Sequence, residues 1–221
     1  MKRQRKRQLN FDHANVVGIL QSARGITLAQ EIPRPGAFEV RLDAFGRMPM
    51  EIASLPAPVI VTVRDASEGG LGDLSQTERA SRYLAALPFA AAIDVELALH
   101  REQRGVIDAA RDAGVKVILS RHDFQGMPPR ADLRASQRRA AKAGADVFKL
   151  AVVPSTPRDL AALLELLDDP PLPTAVMGMG PLGKASRVAA MACGSVLNYG
   201  WIERPNVAGQ WSAEELLAFA S

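Results

Sequence analysis

The stretch Val147-Phe148-Lys149-Leu150-Ala151-Val152-Val153 decides how this chain folds. It is rich in Val and bounded by Gly144 before it and Pro154 after it, so it reads as a buried strand of a parallel sheet. One ammonium interrupts it. A charge in apolar surroundings is costly unless it is paired or loses its proton. Desolvation and nearby positive charge lower a lysine's pKa, giving a free amine able to attack a carbonyl. The plainer alternative is a strand lysine whose tip reaches solvent.

Working outward, short apolar runs recur at residues 16–20, 38–43, 59–64, 92–97, 116–124, 147–153, 174–179 and 196–201. Helical patterns separate them. Ser75-Gln76-Thr77-Glu78 and Ser212-Ala213-Glu214-Glu215 fit the capping box, in which the first and fourth side chains satisfy each other's free backbone N–H groups. Thr156-Pro157 supplies a cap followed by proline at the first helical position. Gly114 and Gly144 end helices where a left-handed residue is needed. Segments 97–114 and 134–144 have helical periodicity with charge on the outer face. Eight βα units predict a single, compact (β/α)8 TIM barrel over residues 9–221, with short first and second helices. An open doubly wound sheet is the alternative, but Gln21-Ser22-Ala23-Arg24-Gly25 is not its Gly-rich phosphate turn.

The chain has 221 residues, of which 48% are hydrophobic and 23% charged, a composition that suits a soluble globular protein. No apolar run is long enough to span a bilayer, and the basic start lacks the apolar core of a secretory signal. The single Cys193 excludes an internal disulfide and fits a reducing cytoplasm. The pI of 9.3 invites a nucleic-acid reading. Five of the 27 Lys and Arg residues, however, lie in the first seven positions, which leaves 22 against 24 Asp and Glu. The basicity belongs to a tail over residues 1–8, expected to be disordered. No specific nucleic-acid partner and no membrane partner are expected.

The strands carry unusual polarity. Glu39, Arg41 and Asp43 alternate with apolar residues, as do Asp94 and Glu96. Arg64 closes the third run, His122-Asp123 lie in the fifth, and Lys149 is in the sixth. In a barrel these residues converge on the C-terminal mouth, where such folds place their sites. A mutually neutralising ion-pair network accounts for Asp43, Asp94 and Asp123 at least as well as catalysis does. Lys149 with His122 is different, since the two supply a nucleophile and a proton carrier. Asp94, Glu96 and His122 read as a metal site would face the repulsion of Lys149 and Arg41, so no metal is expected. His13 and His100 read as surface residues. Met177 and Met179 share a strand face and can form an apolar wall beside the lysine.

An ordered series of motifs then resembles the type I 3-dehydroquinate dehydratases, the lysine-dependent enzymes of the shikimate pathway. The matching segments are Glu39-Val40-Arg41-Leu42-Asp43, Thr62-Val63-Arg64 with Glu68-Gly69-Gly70, and Ile93-Asp94-Val95-Glu96-Leu97. They continue with Ser120-Arg121-His122-Asp123-Phe124, Gly144-Ala145-Asp146-Val147-Phe148-Lys149-Leu150-Ala151, Met177-Gly178-Met179-Gly180, Ser186-Arg187, Gly194-Ser195 and Gly209-Gln210. The resemblance implies dehydration of 3-dehydroquinate to 3-dehydroshikimate with no metal or organic cofactor, in a cytoplasmic homodimer. It implies that Lys149 forms an imine with the substrate ketone. His122 then serves as general acid and base, and Glu68 orients the histidine and keeps it basic. It further implies that Arg187 binds the substrate carboxylate, and that Glu39, Arg41, Arg64 and Gln210, with Asn206 and Met179, surround the ring.

Two departures from the family pattern stand out. The late loop reads Asn206-Val207-Ala208-Gly209-Gln210, where the family often has Ser-Ala-Pro-Gly-Gln. Gly18 or Ile19 stands where a serine is sometimes found at the end of the first strand. Both changes are expected to alter substrate affinity before catalysis. Two rival readings remain: a class I aldolase acting on a sugar phosphate, and a non-enzymatic binding protein that uses its basic tail.

Overall fold

The computed structural model describes residues 7–220. Strands β1 (Asn15–Leu20), β2 (Ala37–Arg41), β3 (Val59–Thr62), β4 (Ala92–Glu96), β5 (Lys116–His122), β6 (Val147–Val152), β7 (Thr174–Gly178) and β8 (Leu197–Trp201) form one sheet. Every ladder is parallel, in the order β7-β6-β5-β4-β3-β2-β1-β8. The two ends of that order meet. The Val196 N–H donates to the Thr174 carbonyl at 3.1 Å, and the Val176 N–H donates to the Ser195 hydroxyl at 3.2 Å. These bonds carry the sheet round into a nearly closed (β/α)8 barrel, as the alternation predicts.

Among the described residues there are seven α-helices, α1 (Ala23–Leu28), α2 (Gln76–Ala86), α3 (Arg104–Asp112), α4 (Arg130–Lys142), α5 (Pro157–Leu164), α6 (Gly183–Ala192) and α7 (Ala213–Ala220). The first is short, as expected. The expected second helix is replaced by 3-10 turns at Leu42–Ala44 and Met50–Ser54. Gly46, Pro49, Pro56 and Pro58 punctuate that connection, and proline removes the donors a longer helix needs. The capping boxes form at Ser75 with Glu78 and at Thr156 with Asp159. Ser212 and Glu215 make the same reciprocal pair. Gly114 and Gly144 adopt φ of 65° and 76° after their helices, the left-handed conformation that glycine adopts at least cost.

The continuous apolar character of β6 follows from burial on both faces. Phe148, Leu150 and Val152 join the layer between strands and helices, while Val147 and Ala151 join the barrel interior. The interior cluster also holds Ala37, Ala92 and Leu197, each the first residue of its strand, together with Leu9. Leu9 therefore plugs the N-terminal end of the barrel, with Phe11 packed beside it. The basic tail assigned to residues 1–8 lies, for residues 1–6, outside the described residues. Of the remainder, Arg7 donates to the Pro56 carbonyl and Gln8 is exposed.

The plug predicts that Leu9→Ala lowers stability by about 2–3 kcal/mol in urea unfolding with an unchanged m-value. A loss below about 0.5 kcal/mol would mean that the segment does not close the core.

Candidate active site

Strand alternation places side chains of one parity inside the barrel, and towards the C-terminal ends those side chains become polar. Glu39, Thr62, Asp94, Ser120 and Lys149 lie there, all buried. In the β5–β6 ladder Ser120 is the partner of Lys149 and His122 the partner of Ala151. His122 thus shares the inner face with Lys149 and lies one inward position nearer the mouth. Lys149 and His122, expected to act together, are on neighbouring strands.

The Lys149 Nζ lies 2.8 Å from Asp94 Oδ2 and 3.1 Å from Glu39 Oε1. It also sits over the Tyr199 ring, 3.9 Å from the centroid. The side chain is only 4% exposed, so the snorkelling alternative is excluded. The expectation of a dry nitrogen is met. The chain surrounds the nitrogen with two carboxylates and an aromatic face, all of which attract an ammonium.

These carboxylates are themselves held. Glu39 Oε1 also accepts from the Thr62 hydroxyl at 2.9 Å. Arg64 reaches Asp94 at 3.0 Å, Glu96 at 3.1 Å and the Ser120 hydroxyl at 2.7 Å. Arg79 pairs with Glu96 from behind. Burial alone would push Asp94 up, but Arg64 and Lys149 beside it outweigh that and hold its carboxyl well below the usual range. Arg64, assigned by resemblance to the substrate, thus spends its Nη1 and Nη2 groups on protein partners. Arg41 does much the same: it is bidentate to Asp43 at 2.9 and 2.7 Å and donates to the Gly69 carbonyl at 3.1 Å.

The Gly69 contact ties Arg41 to the loop that carries Glu68. Gly69 is left-handed at φ 85°, and a Cβ on Gly70 would fall 2.3 Å from the Arg64 carbonyl oxygen. Only glycines let this turn lie so close to the end of β3. The turn brings Glu68 Oε2 within 2.9 Å of both the backbone N–H and the Nδ1 of His122. The Nδ1 contact with Glu68 fixes the orientation of the ring. Burial raises the Glu68 carboxyl to about 7. Burial, followed by the charges of Arg64 and Lys149, holds the His122 imidazole well below its ordinary value. Glu68 therefore orients the ring, while burial first, and Arg64 and Lys149 after it, work against the basicity expected of the imidazole.

Arg187 on α6 is 3% exposed. Its Nη1 donates to the Tyr199 carbonyl at 2.9 Å, its Nε has no partner, and no ion pair neutralises it among the described residues. Burial draws this guanidinium down to about 10. It is a cation awaiting an anion. Gln210 is buried, and its Oε1 accepts from the Asn206 backbone N–H at 2.9 Å, which leaves the amide Nε2 as a free donor. Asn206 thus contributes through its main chain to the loop, whose Gly209 has φ 75°. The loop is fastened to the turn after β7 by the Gly180 N–H bond to the Ala208 carbonyl at 2.9 Å. Met179 and Met177 are buried in the interior cluster with Ala151 and Tyr199, the apolar wall expected of them.

Of the two departures, Ile19 faces the interior cluster, whereas a Cβ at Gly18 would fall 2.7 Å from Ile202 on the outer side. Sequence reasoning left Asp94 as a structural ion pair and passed over Tyr199, although Tyr199 lies in phase with the inward residues of β8. His13 is exposed and His100 is half-buried, bonded to the Leu97 carbonyl. Among the described residues no group of three or more His, Cys, Asp or Glu is arranged for a metal ion. No helix is long and apolar enough to cross a membrane.

Comparison with known proteins agrees with this geometry. The type I 3-dehydroquinase family profile matches residues 23–220. A 3-dehydroquinate dehydratase of Methanothrix thermoacetophila is 35% identical over 181 residues, covering 80% of this chain and 77% of that one. One from Methanosarcina barkeri is 33% identical over 229 residues, covering 95% of each. The crystal structure of 3-dehydroquinate dehydratase from Geobacillus kaustophilus superposes with a TM-score of 0.84 at 24% identity, covering 94% of this chain and 90% of that one. This last likeness speaks to the fold.

Glu68 makes stability depend on pH in a direction that can be checked. Its proton is held in the folded state up to about 7 but lost from the unfolded chain near 4.5. Its contribution is therefore full below pH 4.5 and disappears as pH rises through 7. From pH 5 to pH 8 the wild type should lose on the order of 2 kcal/mol relative to Glu68→Gln, measured by urea unfolding. A difference that stays constant across this range would contradict the assignment.

Proposed function

The chain belongs to the type I 3-dehydroquinase family, and from that premise we propose that it dehydrates 3-dehydroquinate to 3-dehydroshikimate through an imine on Lys149. The observation that carries this reading is a buried lysine nitrogen on the strand next to an imidazole whose Nδ1 is held by Glu68. In the resting site Asp94 and Glu39 hold Nζ in one position, so a ketone entering from the mouth meets an oriented nucleophile. Transfer of one ammonium proton to His122 Nε2 releases the amine. Its electron pair forms the C–N bond as the carbonyl π pair moves to oxygen. The nitrogen passes one proton to that oxygen and His122 returns the other, so the oxygen leaves as water and a protonated imine remains.

An iminium is a better electron sink than a ketone and acidifies the adjacent C–H. His122 then removes that proton, and the pair released forms the new double bond as hydroxide departs, protonated by the same imidazole. Water hydrolyses the product imine and restores Lys149. Glu68 fixes the tautomer in both directions. Arg187 fits the substrate carboxylate, for which a buried guanidinium without a counter-ion is suited. Arg41 at the mouth and Gln210 through its free amide donor fit the ring hydroxyls, with Asn206 setting the Gln210 rotamer and Met179 lining the ring face. Glu39 and Arg64 act by positioning Lys149 and Asp94. A cytoplasmic homodimer belongs to the same reading and rests on the family resemblance.

The aldolase reading needs free backbone N–H groups for a phosphate after β7 and β8. The Gly180 N–H is spent on Ala208 and the Gly183 N–H on Gly180. This favours the dehydratase.

Borohydride reduction in the presence of 3-dehydroquinate, followed by peptide mass spectrometry, should place the adduct on Lys149 and give none in Lys149→Ala. An adduct elsewhere, or none in the folded wild type, would overturn the mechanism.

A further inference from the structure

Tyr199 is the residue in the site that neither charge nor motif brings forward. It is 1% exposed, it faces the barrel interior from β8, and its hydroxyl has no hydrogen-bond partner among the described residues. A buried hydroxyl left unpaired costs about 1–3 kcal/mol, and phenylalanine would fill the same volume without that penalty. The ring itself is well used, with its face under the Lys149 Nζ at 3.9 Å. The oxygen is what needs a partner, and the resting protein does not provide one.

Its surroundings narrow what the partner can be. Burial, with the negative charges of Glu39 and Asp94, pushes the phenol well above its ordinary value. The hydroxyl therefore keeps its proton and is available as a donor. Because the ring lies against Nζ, the hydroxyl at its edge is within hydrogen-bonding reach of an oxygen on the carbon that Nζ attacks. That oxygen arrives as the ketone oxygen, gathers negative charge only on addition, and is gone once water has left.

We propose that the Tyr199 hydroxyl donates a hydrogen bond to the oxygen of the carbinolamine formed on Lys149, making Tyr199 a further catalytic residue of the imine-forming step. This rests on the imine reading above. In the step the C–N bond forms, the carbonyl π pair becomes an oxygen lone pair, and Tyr199 stabilises the charge gathering there without giving up its proton. The two protons with which that oxygen leaves as water come from the attacking nitrogen and from His122, so atoms and charge balance with Tyr199 unchanged. A donor aimed at charge that develops only during reaction accelerates it, whereas one bonded in the resting state would not.

The test is Tyr199→Phe in the full chain, which keeps the ring over Nζ and removes only the oxygen. Rapid-quench borohydride trapping with 3-dehydroquinate gives the rate of imine formation, steady-state kinetics give kcat and KM, and thermal unfolding gives stability. The expected result is imine formation slowed by about tenfold to a hundredfold. KM should change less than twofold and the melting temperature should be no lower than that of the wild type. Trapping as fast as in the wild type would overturn the proposal. So would a lowered melting temperature, because the hydroxyl would then have a structural partner. A wild type that gives no adduct at all would overturn the imine reading and this proposal with it, whereas a wild-type adduct with an unaffected Tyr199→Phe defeats the proposal alone.

Discussion

The Lys149 nitrogen, held between Asp94 and Glu39 in the interior of the barrel, is the constraint on which the rest of the structure depends. An unpaired ion in such a place costs several kcal/mol even after relaxation. Two carboxylates beside one ammonium would in turn leave excess negative charge. Arg64 offsets it by binding Asp94 and Glu96 together, and Arg79 closes the set from α2. The charges thus form a balanced network that runs from β2 across to β6. Thr62 and Ser120 satisfy remaining donor and acceptor sites. A polar layer of this kind is tolerable inside a barrel only when nearly every member is paired, and among the described residues few buried side-chain atoms lack a partner.

Those exceptions are informative because they are few. Among the described residues the buried side-chain atoms without partners include Arg187 Nε and Tyr199 Oη, and the Arg187 Nη1 bond to the Tyr199 carbonyl links the two residues. The His122 pair with Glu68 is the other unsettled element, since its two groups have been moved towards each other in proton affinity, Glu68 up and His122 down. A paired proton site of this kind can pass a proton back and forth near neutrality. The protein keeps the lysine network rigid and places its adjustable proton nearer the mouth.

Much of this was legible in the sequence, for physical reasons that can be named. Short apolar runs located all eight strands, and capping boxes at Ser75 and Ser212, with the Thr156-Pro157 cap, marked helix starts. Strand ends were less legible. Asp43 lies in a 3-10 turn rather than in β2, because alternation of charge continues after the last ladder bond. The missing second helix was hidden by reading architecture from the βα repeat, although Pro49, Pro56 and Pro58 argued against it. At the site, residue types brought Lys149 and His122 forward, and Glu68 came only with the family resemblance. They did not reveal that Lys149 is paired with Asp94, a contact between residues 55 positions apart. Tyr199 escaped notice because one aromatic in a strand looks like core until its hydroxyl is followed.

The central claim is that Lys149 is held by direct charge pairing, and a double-mutant cycle tests it most directly. The stabilities of wild type, Lys149→Met, Asp94→Asn and the double variant are measured at pH 7 by urea unfolding. Each single change strips a buried charge of one of its two ionic partners, whereas the double change removes both members of the pair, so the account predicts a coupling of about 2 kcal/mol or more. Effects that add to within about 0.5 kcal/mol would mean that the two side chains do not hold one another, contradicting the account.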